Sequence, residues 1–177
     1  RSNKTNTITN NINMNTNHDH GLLKASELKI ENIERLLLQY GFDARIECDW
    51  VTVKMSRWSL FFNLVEDVPA VDLAGAFELR EGISLRKTLR FLNYLNNENR
   101  VVRFSLWEPP SHDAIDLTDC WANVVLPIRP GFSRRQFIAA LDLLFGGLDF
   151  AVAAAVEAGM ADPVGRLSNQ EVLSYGI

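Results

Sequence analysis

The stretch Phe42-Asp43-Ala44-Arg45-Ile46-Glu47-Cys48-Asp49, continued by Trp50-Val51-Thr52-Val53-Lys54-Met55, decides the fold. Phe42, Ala44, Ile46 and Cys48 project to one side, and Asp43, Arg45, Glu47 and Asp49 to the other. That period of two predicts a strand with one wet face. Val51, Val53 and Met55 repeat the pattern against Thr52 and Lys54. A tight connection near Asp49-Trp50 makes the two runs a hairpin.

Working outward, Glu27 to Tyr40 reads as an amphipathic helix. Leu28, Ile33, Leu36, Leu37 and Tyr40 share one face, Ser26 suits the N-cap and Gly41 the residue just past the end. Trp58–Val65 reads as a third strand, with Leu60, Phe62 and Leu64 inward. Val71–Leu79 reads as a fourth, with Gly75 a weak point or bulge. Ser84 caps a second helix from Leu85 to about Asn97, whose face is Leu85, Leu89, Leu92 and Leu95. The run Asn96-Asn97-Glu98-Asn99 ends it, because short polar side chains compete for the backbone. Arg100–Trp107 and Ile115–Ile128 read as the fifth and sixth strands, joined by a loop through Pro109-Pro110. Ser133 and Gln136 form a capping box for a third helix. That helix buries Phe137, Ile138, Leu141, Leu144, Phe145 and Leu148. Gly146-Gly147 interrupts it, so it either kinks there or packs very close to the sheet. A stretch around Ser168-Gln170 suits one last short turn.

The element order is α-β-β-β-(β)-α-β-β-α. Runs of strands between helices predict an α+β fold, a two-layer sandwich with a mainly antiparallel sheet and helices on one face. The domain is expected over residues 23–158. Residues 1–22 read as a disordered polar tail, since the first 20 hold seven Asn and four Thr and cannot offset their ordering entropy. Residues 159–177 read as a C-terminal tail.

Length and composition bound the function. The 177 residues, 47% apolar and 23% charged, suit one globular domain. The net charge of −4 argues against a nucleic-acid partner. No apolar run approaches the roughly 18 residues a membrane helix needs, so no membrane is expected as a partner, and a polar start gives no sign of a secretory leader. Cys48 and Cys120 are too far apart in sequence for a metal motif and read as two buried free thiols, which implies a reducing cytoplasm.

Chemistry-bearing patterns are sparse. There is no Gly-rich phosphate loop and no nucleophile or zinc motif. His112, in Ser111-His112-Asp113, is the only histidine of the folded part, and its neighbours point apart on an extended loop. Asp113, Asp116 and Asp119 recur every third residue, but a calcium loop needs more oxygen ligands and a Gly. Arg86, Lys87 and Arg90, with Arg134 and Arg135, read as solvated helix faces. No catalytic residue, metal site or cofactor is expected.

Three stretches carry a resemblance. The first helix ends in Tyr40-Gly41-Phe42 and leads straight into the hairpin. The second ends in Leu92-Asn93-Tyr94-Leu95-Asn96-Asn97-Glu98-Asn99 and passes into Val101-Val102-Arg103-Phe104. The last strand runs through Pro130-Gly131-Phe132-Ser133 into the closing helix. Over about residues 25–158 the chain resembles the YbjN family, whose fold is similar to type III secretion chaperones. The Pro-Pro loop and the residues after 158 depart from that pattern. The resemblance implies a two-layer domain, a tendency to dimerise and a regulatory or partner-binding role, with no catalytic residues to carry over.

Strict alternation sends Phe61, Val65, Val101, Trp107, Trp121 and Val125 to the sheet face away from the helices. Such a patch on a monomer marks an interaction site. The expectation is a non-catalytic protein-binding domain, a regulatory or chaperone-like adaptor that homodimerises and also binds another protein. The alternatives are a small-molecule sensor with a pocket near Gly146-Gly147, and an enzyme using His112 or the three aspartates.

Overall fold

In the computed structural model, which describes residues 23–55, 58–65, 68–106, 119–129 and 131–162, the expected hairpin is β1 (Ala44–Glu47) paired with β2 (Trp50–Lys54). Glu47 faces Trp50, so Cys48-Asp49 makes a two-residue turn. Cys48 takes the left-handed conformation there, with φ 56°. It is exposed, contrary to the expectation of a buried thiol, because the turn removes it from the apolar row of β1.

Then follow β3 (Ser59–Leu64), β4 (Ala70–Glu78), β5 (Arg103–Leu106) and β6 (Asp119–Pro127). The six strands lie in the order β1-β2-β3-β4-β6-β5, and every pairing is antiparallel. One row crosses the whole sheet: Ala44, Val53, Leu60, Gly75, Ala122, Phe104. All six are buried. The next row, Arg45, Thr52, Phe61, Ala74, Asn123 and Arg103, belongs to the opposite face. Gly75 forms no bulge, since it pairs regularly with Leu60 and Ala122. A Cβ on Gly75 would collide with Leu148, so glycine is present for close approach of a helix.

That helix is α3 (Arg134–Glu157), unbroken through Gly146-Gly147. Phe137, Leu141, Leu144, Leu148 and Ala151 are buried along it, and it packs on β4 and β6. By length and composition alone α3 could cross a membrane, because two aspartates are diluted among Gly, Ala, Leu and Phe. This differs from the expectation that no stretch is long enough, and in the fold the buried residues of this helix furnish the core. The two glycines differ. A Cβ on Gly147 would lie 2.7 Å from Val102 Cγ2, whereas one on Gly146 meets nothing within 4 Å. Ser133 precedes the helix but its side chain makes no capping bond, so the expected capping box does not form.

The first helix is shorter than expected. Ala25–Glu27 is a 3-10 turn containing Ser26, and α1 covers Ile30–Gln39. Asn32 Oδ1 accepts from the Lys29 N–H at 2.8 Å, which takes up a donor at the helix start. The C-terminus closes with Gly41 N–H on Leu38 O and Phe42 N–H on Leu37 O. Gly41 has φ 85°, the left-handed residue this pattern requires. Phe42 is thereby delivered to the core.

In α2 (Leu85–Glu98) the Ser84 hydroxyl accepts from the Lys87 N–H at 3.4 Å, as expected of the cap. The buried stripe is Thr88, Phe91, Leu92 and Leu95. Leu85 and Leu89 are instead 50% and 48% exposed. The helix packs beside β5, at the sheet's edge, and such a seat covers only a narrow stripe.

Both sheet edges are partly closed by helix side chains. The Asn96 amide donates to Phe104 O and accepts from the Phe104 N–H, each at 2.9 Å, so it stands in for a further strand beside β5. At the other edge Glu34 Oε1 accepts from the Ile46 N–H at 3.3 Å. These bonds consume groups that would otherwise pair with another chain.

The two glycines give opposite predictions. Gly146→Ala should stabilise the protein by about 1 kcal/mol, from helix propensity alone. Gly147→Ala should destabilise it by about 1–3 kcal/mol through overpacking. Thermal melts of both variants check this, and equal shifts would refute the close approach of Val102.

Candidate functional site

The outer face of the sheet carries the aromatic residues that alternation sends there. Phe61 of β3 and Trp121 of β6 flank β4, with Ala74 opposite Phe61 and Ala76 opposite Trp121. Alanine on the intervening strand leaves room for the two rings to lean over it. Their centroids are 4.9 Å apart at 25°, a stacked pair. Among the described residues α1 and α3 pack on the other face, where the buried row through Gly75 lies, and α2 sits at the β5 edge.

The other expected residues sit apart from this pair. Val125 is 58% exposed and faces Asp72. Val65 follows β3, and its N–H bonds to Ala70 O. Val101 precedes β5 and is exposed. Asn63, Asp72 and Asn123 separate the aromatic pair from Val65 and Val125. Trp107 lies outside the described residues, as do His112, Asp113 and Asp116.

Two titratable groups are perturbed. Burial holds the Asp72 carboxyl above the usual carboxylate range, with the amide of Asn123, which donates to it at 3.4 Å, opposing this. The Cys120 thiol faces the helices and is pushed up to about 12, first by burial and then by the charge of Asp119.

A cavity of about 480 Å³ opens where β3 begins, β4 ends and β6 begins. Trp58, Phe61, Trp121, Glu78 and Asp119 line it. It therefore lies away from Gly146-Gly147, where a pocket was expected; Val102 occupies the space beside Gly147. Among the described residues no group of three or more His, Cys, Asp or Glu could hold a metal ion.

The basic residues of α2 and those of α3 do not form one patch. Lys87 Nζ donates to Ala158 O at 3.3 Å, near the C-terminal end of α3. Arg134, at the opposite end of that helix, lies over the Tyr40 ring at 4.7 Å and donates to its hydroxyl. Sequence reading also missed an apolar set on the helical layer. Leu85, Leu89, Tyr94, Leu143 and Phe150 are exposed there, and Tyr94 of α2 meets Phe150 of α3 at 6.2 Å. Two of these leucines read as core by spacing, so the pattern gave no signal of a surface.

No protein-family model matches the chain, and no curated protein matches it. Its structure is similar to the crystal structure of YbjN from E. coli, described there as a candidate transcription regulator. The TM-score is 0.65 at 13% sequence identity, covering 81% of this chain and all of that one. The fold is thus the YbjN-like α+β fold that the turn residues suggested.

Two predictions follow from the perturbed groups. A thiol reagent at pH 8 should label one cysteine per folded chain, Cys48, and two after denaturation; rapid labelling of both in the native protein would refute the burial of Cys120. For Asp72, a raised pKa means that the folded state binds the proton more tightly than the unfolded state. Stability therefore falls as pH rises through the interval from the ordinary value of 3.8 to the raised one. Asp72→Asn should raise Tm at pH 7, and the gain should shrink to nothing as pH falls below that interval.

Proposed function

We propose that the protein is a non-catalytic protein-binding domain, a cytoplasmic regulator or chaperone-like adaptor that self-associates through the outer face of its sheet. One observation carries the reading: Phe61 and Trp121 stack on a face that no described helix covers. Aromatic side chains supply much of the energy of protein interfaces. The edge bonds from Asn96 and Glu34 disfavour growth of the sheet by strand addition and favour face-to-face contact. The likeness to YbjN supports a regulatory role as a fold-level analogy. Two free thiols, one exposed, fit a reducing compartment. A protein partner fits better than a nucleic acid, because the basic side chains are spread over distant helix ends.

Light scattering on a sizing column tests the reading. Wild type should run as a dimer, Phe61→Asp and Trp121→Asp as monomers, and Leu89→Asp, on the helical layer, as the wild type does. A monomeric wild type would overturn it, and so would a dimer lost only on Leu89→Asp.

A further inference from the structure

The cavity at the β3/β4/β6 end has a charge pattern that the protein-binding reading does not use. Glu78 and Asp119 stand directly opposite each other across β4 and β6. Like charges in that position destabilise a sheet. Among the described residues neither has a counter-ion. The nearby cation, Arg80, is committed to Asp162, with Nε 2.7 Å from Oδ1. Cavity-lining charges therefore sum to an excess of carboxylate, since Glu78, Asp119 and Asp162 face Arg80 alone.

The walls are aromatic. On the same face Trp121 occupies the next row inward from the carboxylates and Phe61 the row beyond it. Trp58 also lines the space and is 8% exposed. Ring faces attract a cation, most strongly when water is excluded. The volume of about 480 Å³ falls within the range of small-molecule sites, about 300–1,000 Å³.

We infer that this cavity binds an organic cation, an alkylguanidinium or alkylammonium group, between Glu78 and Asp119 and against the Phe61–Trp121 rings. The cation relieves the repulsion between the opposed carboxylates while its alkyl stem meets the rings. A bare divalent metal is disfavoured, because the described residues offer it no three-ligand group. The inference needs the cavity and not self-association.

Calorimetric titration tests it with N-acetyl-argininamide and with N-acetyl-citrullinamide, the uncharged ureido analogue of nearly the same shape. The peptide Gly-Gly-Arg-Gly-Gly, as the second source of the same group, separates a free ligand from a side chain of a partner. Wild type should bind the guanidinium compound or the peptide saturably and at least tenfold more tightly than the citrulline analogue. Whichever binds more tightly identifies the source. The isosteric double variant Glu78→Gln/Asp119→Asn should lose at least tenfold in affinity, melt no lower than wild type without ligand, and keep the wild-type oligomeric state. Equal affinity for charged and uncharged probes, binding of neither cation, or full affinity in the double variant would overturn the inference. The sizing-column result is read separately, so a monomeric protein that still binds the cation would refute self-association alone.

Discussion

The contact between Leu148 and Gly75 sets the spacing of the two layers. Gly75 sits in a central strand, β4, of a buried row that spans the sheet, and Leu148 occupies the volume a Cβ would need. A side chain there would lift α3 away from β4 and β6, loosening Phe137, Leu141 and Leu144 together. Gly147 extends the same close fit toward Val102 at the start of the β5 segment. Protein interiors are packed as densely as organic crystals, so a helix admitted this closely at two glycines has little freedom to shift.

Placing the helices on one face leaves the other to be managed by the sheet itself. Strand β4 carries Ala74 and Ala76 outward, which lets Phe61 and Trp121 meet over it. The same geometry seats Asp72 among neighbours that strip its water, and the fold tolerates that cost where Asn123 can donate to it. At the edges, the polar end of α2 does more than stop the helix. Asn96 closes the backbone of Phe104, and Asn99 accepts from the N–H groups of Val101 and Val102. A run of asparagines that reads as a helix stop thus also anchors the next strand.

Much of this was legible in order along the chain. The alternation from Phe42 onward correctly put Ala44, Val51, Val53, Leu60 and Phe62 on the covered face and Phe61 and Trp121 on the other. Gly41 marked the end of the first helix because its conformation is local. Errors arose where one neighbour changed the rule. Cys48 continued the apolar rhythm but fell in the turn. Leu85 and Leu89 had core spacing, yet α2 sits at the margin of the sheet and buries only the stripe centred on Phe91 and Leu92. Ser133 had the composition of a cap without its bond.

The sequence by itself determined the periods, the caps and turns that depend on a few adjacent residues, and hence the element types and the two-layer class. Only the tertiary structure decided that β6 inserts between β4 and β5. That pairing brings Trp121 to Phe61, Asp119 opposite Glu78, and a cavity to the end of the strands. The reason is physical: side-chain direction along a strand is set by its own backbone, whereas register and strand order depend on contacts between residues far apart in the chain, which no local pattern encodes.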